Sequence, residues 1–221
     1  MSTTVVELAG ACSLAGTAAA VGALVYLHLS PTGLSPLRNA VSQYGISAYR
    51  SWYRVMTIAM GVGGAGIAVA VASGLQGTDV ATVAVLIAIF AGCRVAISWF
   101  PMDAPGSPRT STGAAHGLLA AVTFGSVAAG AIRLCKVLEA TPRLDLLAST
   151  SRVLGWVMVA CFAVLLLSRL GPELRRYFGA TERALYVAII AWLIVIGIAG
   201  ATGHLVTGTD TTVGHGAATL R

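Results

Sequence analysis

The chain has 221 residues, 57% of them hydrophobic and only 10% charged, against about 25% charged in soluble domains. That composition excludes a soluble globular protein and indicates an integral membrane protein of one domain. The net charge of +6 carries no nucleic-acid signal, because the basic residues are scattered over the ends of apolar runs, where membrane anchors sit.

The expected partners are therefore membrane lipids and not nucleic acid. Lys136 is the one lysine among 14 basic residues. With the abundance of Ala, Gly and Val, this points to a GC-rich bacterial genome and to the cell membrane, the inner membrane of a bacterium.

A membrane helix needs about 20 apolar residues. Six segments qualify: Leu8–Leu29, Tyr53–Ser73, Val80–Phe100, Thr112–Cys135, Val153–Leu170 and Ala184–Val206. The expected fold is all-α: a polytopic six-helix transmembrane bundle with a short interfacial helix after span 1. Residues 1–206 form a single six-span domain, and 207–221 form a Gly/Thr-rich flexible tail. The first run has no Lys or Arg before it and is too long for a signal peptide, so it is read as a retained span.

After span 1, Ser35 through Gly45 reads as the interfacial helix. Ser35 suits the N-cap, Pro36 the first helical position and Gly45 the residue past the end. Leu37, Val41 and Tyr44 then share one apolar face, which would lie on the membrane. Tyr49, Trp52 and Tyr53 follow as an interfacial aromatic belt. Gly61, Gly63, Gly64 and Gly66 crowd span 2, and Gly197, Gly200 and Gly203 mark span 6. Small residues at these spacings let helices approach closely. Packing within the chain is the simpler reading; a homo-oligomer through the small-residue faces is the other. Among the connections, Gly74–Asp79 is a short turn, Leu138–Ser151 is a polar link and Gly171–Thr181 a basic one.

Six spans put the loops after spans 1, 3 and 5 on one face. That face collects His28, the Ser35–Gly45 segment, Arg94, Asp103 and His116, and excludes His204 and His215. The positive-inside rule places it in the cytoplasm, whereas the commoner arrangement for an even number of spans has both termini there.

Arg94 is the costliest residue. An Arg near a span centre costs about 2.5–3.5 kcal/mol on insertion scales. It either snorkels to lipid phosphate, pairs with Asp103, or binds an anion in a pocket. Asp103, stiffened between Pro101 and Pro105, is either paired with Arg94 or Arg109, the simpler reading, or a metal ligand or general base. His116 opens span 4 behind an N-cap at Ser111 or Thr112. A neutral imidazole there can bind metal or accept a proton; more often such a residue is a hydrogen-bonded side chain at the interface. His28 gains interest only if it meets His116. Cys12, Cys93, Cys135 and Cys161 form no C-x-x-C pair and read as small buried hydrophobes. His204, Asp210 and His215 have no standard metal spacing and read as solvent-exposed tail residues.

Three motifs stand out: Asn39-x-x-Ser42-x-Tyr44-Gly45 after span 1, Phe100-Pro101-x-Asp103 after span 3, and His116-Gly117 opening span 4. In these the chain resembles the domain of unknown function 998 family of prokaryotic membrane proteins, over most of its length. The resemblance implies the six-span architecture and the candidate positions, and no activity.

Three functions follow as expectations. The first is a polar pocket at one membrane face that binds a lipid headgroup or small anion through Arg94, Arg38, Asn39, Ser42 and Tyr44. The second is a metal-assisted intramembrane hydrolase or transferase using Asp103 and His116, with His28 as third metal ligand and Ser42 or Tyr44 polarising the substrate. The most distant is a haem b electron carrier with His28 and His116 as axial ligands.

Overall fold

The computed structural model describes residues 3–207, so the tail expected over 207–221 lies outside it from residue 208 onward. The helices are α1 (Thr3–Leu29), α2 (Arg50–Gly74), α3 (Val80–Ala96), α4 (Ser111–Glu139), α5 (Asp145–Leu167), the single turn α6 (Pro172–Arg175) and α7 (Phe178–Ala201). All but α6 are long and apolar enough to cross a membrane. There is no strand among the described residues, and the chain is a multi-pass membrane protein.

Several spans begin earlier than their hydropathy suggests, α5 and α7 by the most. α5 starts at Asp145, inside the stretch expected to be a polar link. Its polar residues are satisfied by helices: Ser149 Oγ and Thr150 Oγ1 donate back to the Leu146 carbonyl, and Ser151 Oγ donates across to Ala131 of α4. α7 starts at Phe178, six residues ahead of Ala184, because Glu182 and Arg183 also find partners inside the protein.

Helix packing follows the small residues. A Cβ on Gly63 would lie 2.8 Å from Thr17 Oγ1 of α1, and one on Gly66 would lie 2.5 Å from the Ala9 carbonyl oxygen. Gly10 of α1 meets the backbone of Gly197, Gly200 and Ala201 in α7. Gly63, Gly66, Gly197 and Gly200 thus seat α1 against α2 and α7, whereas Gly61 and Gly64 meet α3. The buried core of the bundle includes Met56, Met60, Ile67, Ile189 and Trp192.

Loops group by face as the topology requires. At one end the Ala180 amide donates to the Leu37 carbonyl, and Ser42 Oγ bonds to Met102 Sδ. At the other, the Thr207 amide donates to Gly74, Arg143 to the His204 carbonyl, and Arg133 pairs with Asp79.

The continuous helix expected over Ser35–Gly45 does not form. Pro36–Arg38 make a turn, Ala40 is extended at φ −61° and ψ 147°, and Val41–Ile46 form a 3₁₀ helix. The backbone groups that such a helix would use internally are taken up elsewhere. Leu37 C=O goes to Ala180, Asn39 C=O to Arg183 and Val41 N–H to Glu182. Nor do the three apolar residues share one environment: Val41 and Tyr44 are buried in the bundle and Leu37 is exposed.

The Gly66→Val variant should lose about 1–3 kcal/mol through overpacking against α1. Its melting temperature in detergent should fall. Gly92→Ala, at an exposed site where an added Cβ meets nothing within 4 Å, should melt like the parent.

Candidate functional site

The first turns of α7 hold down the loop after α1. Arg183 Nε donates to His28 Nε2 at 2.7 Å, while His28 Nδ1 bonds to the Leu24 carbonyl. Arg183 Nη1 donates to the carbonyls of Asn39 and Gly179, and Nη2 reaches Tyr44 Oη at 3.4 Å. Glu182, 5% exposed, accepts the Val41 amide on Oε2 at 2.7 Å. Gly179 is needed beneath this loop, since a Cβ there would lie 2.6 Å from the carbonyl oxygens of Pro36 and Asn39.

The loop after α3 is fastened to the start of α4. Asp103 accepts the Thr110 amide on Oδ2 (3.1 Å) and the Thr110 hydroxyl on Oδ1 (2.6 Å). Thr110 Oγ1 in turn accepts the Gly113 amide and so serves as the N-cap, one residue ahead of the expected Ser111 or Thr112. Gly113 lies so close to the Asp103 carboxylate that any Cβ would collide with it. These hydrogen bonds hold the Asp103 carboxyl below its ordinary pKa. One helical turn and a half further, His116 Nδ1 donates to the Phe100 carbonyl at 2.7 Å.

Beneath both loops is a cavity of about 720 Å³ between α3, α4, α5 and α7, within the usual range for small-molecule sites. Its polar wall carries Arg94, His116, Tyr53, Tyr186, Glu182 and Ser42. Arg94 is 1% exposed. Its Nη1 donates to Tyr186 Oη at 2.9 Å, its Nη2 to Met56 Sδ, and its guanidinium lies 5.2 Å from the Tyr186 ring centroid. Its Nε has no partner. Exposed arginines at 38, 109, 169 and 175 complete the lining toward the face.

Several sequence expectations change. Arg94 neither snorkels to the lipid surface nor pairs with Asp103; it is buried, and it forms no ion pair among the described residues. Asp103 is clamped by Thr110 and not by an arginine. Arg94, Arg38, Ser42, Asp103 and His116 do line one cavity. Asn39 and Tyr44 belong to the Arg183 network instead, and so does His28, both of whose ring nitrogens are engaged. No group of three His, Cys, Asp or Glu side chains suited to a metal ion occurs among the described residues.

Glu182, Arg183, Tyr186 and Tyr53 were missed as site residues. Glu182 and Tyr186 stand four apart at the head of a span, on one helical face. A span that starts at Ala184 places the charged pair Glu182 and Arg183 ahead of the helix, where this pattern is not visible.

Fold and cavity together define a class: a six-span helical membrane protein with a charged pocket beneath the loops of one face. Within that class the chain belongs to the DUF998 family, protein of unknown function, whose family model matches residues 14–199. No curated protein and no solved structure matches it.

The fastening of the Asp103 loop should depend on pH in a defined direction. A carboxyl whose pKa is lowered by folding stabilises the loop above the ordinary carboxylate range and loses that effect as pH falls through the lowered value. Amide protection at Thr110 and Gly113, followed by hydrogen exchange, should therefore weaken in acid. Asp103→Asn should weaken it at neutral pH and flatten its dependence on pH.

Proposed function

We propose that the cavity binds an anionic group, the phosphate of a lipid headgroup or a small anion, in the cell membrane. The observation that carries this reading is Arg94: a guanidinium buried in a membrane span, on a cavity wall, with Nε unpartnered. Leaving a buried donor unsatisfied costs about 1–3 kcal/mol, more where the group is charged. An anion in the cavity beside Arg94 balances a charge that no ion pair among the described residues offsets.

The lining charges favour an anion over a cation. Five arginines face the cavity against two carboxylates, Asp103 and Glu182. Both carboxylates already accept hydrogen bonds from the protein, Asp103 from Thr110 and Glu182 from Val41. Arg38 and Ser42 stand near the loop, where they can meet the outer part of the bound group. Arginine suits this task because its planar donors match phosphate oxygens.

Arg94→Gln removes the charge and keeps an amide donor at about the position of Nε. Losing a charge-assisted hydrogen bond of about 1.5–3 kcal/mol should weaken binding by about ten- to hundredfold. Phosphate analysis and mass spectrometry of lipid co-purified with the parent and the variant check this. Equal bound lipid in a folded variant counts against the reading.

A further inference from the structure

The cavity has an apolar half as well as a charged one. Gly113, Ala114, Gly117, Ala120 and Ala121 present a low face of α4 to it. Phe162, Leu165 and Leu166 of α5 form the opposite wall, and Phe124 lies at the inner end. From Gly113 to Phe124 the face runs about 17 Å at 1.5 Å per residue, about one leaflet of a hydrocarbon core roughly 30 Å thick.

This face differs from the other small-residue surfaces of the protein. Near the α4–α5 turn the two helices pack tightly: Gly155 would place a Cβ 2.8 Å from Ile132 Cγ1, and Ser151 bonds to Ala131. Halfway along, Gly125 only reaches ordinary contact with Phe162, at 3.8 Å. At Gly117 an added Cβ meets nothing within 4 Å. The pair therefore diverges toward the face that holds Arg94. Two lining residues, Leu118 and Leu166, are 66% and 45% exposed, so the wall continues onto the bundle surface that meets lipid.

We infer that the occupant is an anionic lipid entering sideways from the bilayer, its acyl chain along α4 between α4 and α5 and its headgroup against Arg94. This rests on the anion-binding reading above and adds to it the class of molecule. The charged end alone would serve any small anion. The apolar wall, open to the membrane and continuous with Arg94, fits only a molecule that carries a chain.

The test uses the full chain in detergent, titrated by native mass spectrometry with oleoyl lysophosphatidate and, separately, glycerol 3-phosphate. Gly117→Leu and Ala121→Phe fill the groove, and Arg94→Gln removes the charge; melting temperature confirms that each is folded. The parent should hold lysophosphatidate at least about a hundredfold more tightly than glycerol 3-phosphate, since a buried chain adds a favourable term for each methylene. Either groove variant should lose about tenfold or more of the lysophosphatidate affinity, roughly what one misplaced large side chain removes from an apolar pocket. Neither should change glycerol 3-phosphate binding.

Equal affinity for the two probes in the parent overturns the inference and leaves the anion reading standing. The same holds if both folded groove variants bind lysophosphatidate like the parent while Arg94→Gln does not. Parent-like binding of both probes by Arg94→Gln overturns both readings.

Discussion

Glu182 and Arg183 at the head of α7 are the constraint on which the charged face of this protein depends. A loop at the mouth of a helical bundle cannot leave its amides and carbonyls without partners. Here one carboxylate and one guanidinium, side by side, take the Val41 amide and the Asn39 carbonyl. Arg183 spends its remaining donors on His28, Gly179 and Tyr44. Remove that pair and the loop has no reason to sit where it does; the 3₁₀ turn Val41–Ile46 would lose its anchor and the cavity its cover.

The motifs that mark the family gain a physical meaning from this arrangement. Asn39 caps its own turn through Ser35 and offers its carbonyl to Arg183. Tyr44 packs edge-on against His28, and Gly45 makes room for the Tyr53 ring, which a Cβ would approach to 2.8 Å. Phe100 offers a carbonyl to His116, and Asp103 organises the start of α4. Most of these residues build the roof and walls. The unsatisfied group beneath them, Arg94, lies outside all three motifs.

This explains what could be read from the sequence. Composition and run length are enough for six spans, because lipid demands long apolar helices and tolerates nothing else at that length. The gathering of Arg94, Asp103 and His116 follows from counting spans, since parity alone assigns loops to faces. Pairing within the face does not follow. Asp103 finding Thr110 in place of an arginine depends on a turn of the chain that hydropathy does not encode. The early starts of α5 and α7 were hidden for a related reason: their polar residues are satisfied by other helices, and a one-dimensional reading scores them as loop. The turn at Ser35–Arg38 has every local helix signal. It fails because partners about 140 positions away compete for its backbone.

That separation has a consequence for biogenesis. The loop after α1 is made before α7, yet the groups that fix it, Glu182 and Arg183, lie 141 and 144 positions beyond the residues they hold. Without α7 the Leu37 and Asn39 carbonyls and the Val41 amide lack the partners they have in the folded protein. Closure of the cavity therefore waits on α7. A chain halted after α5 would hold Arg94 and the α4 groove but would lack Glu182 and Arg183, which hold the loop above them, and Tyr186, the partner of Arg94 Nη1.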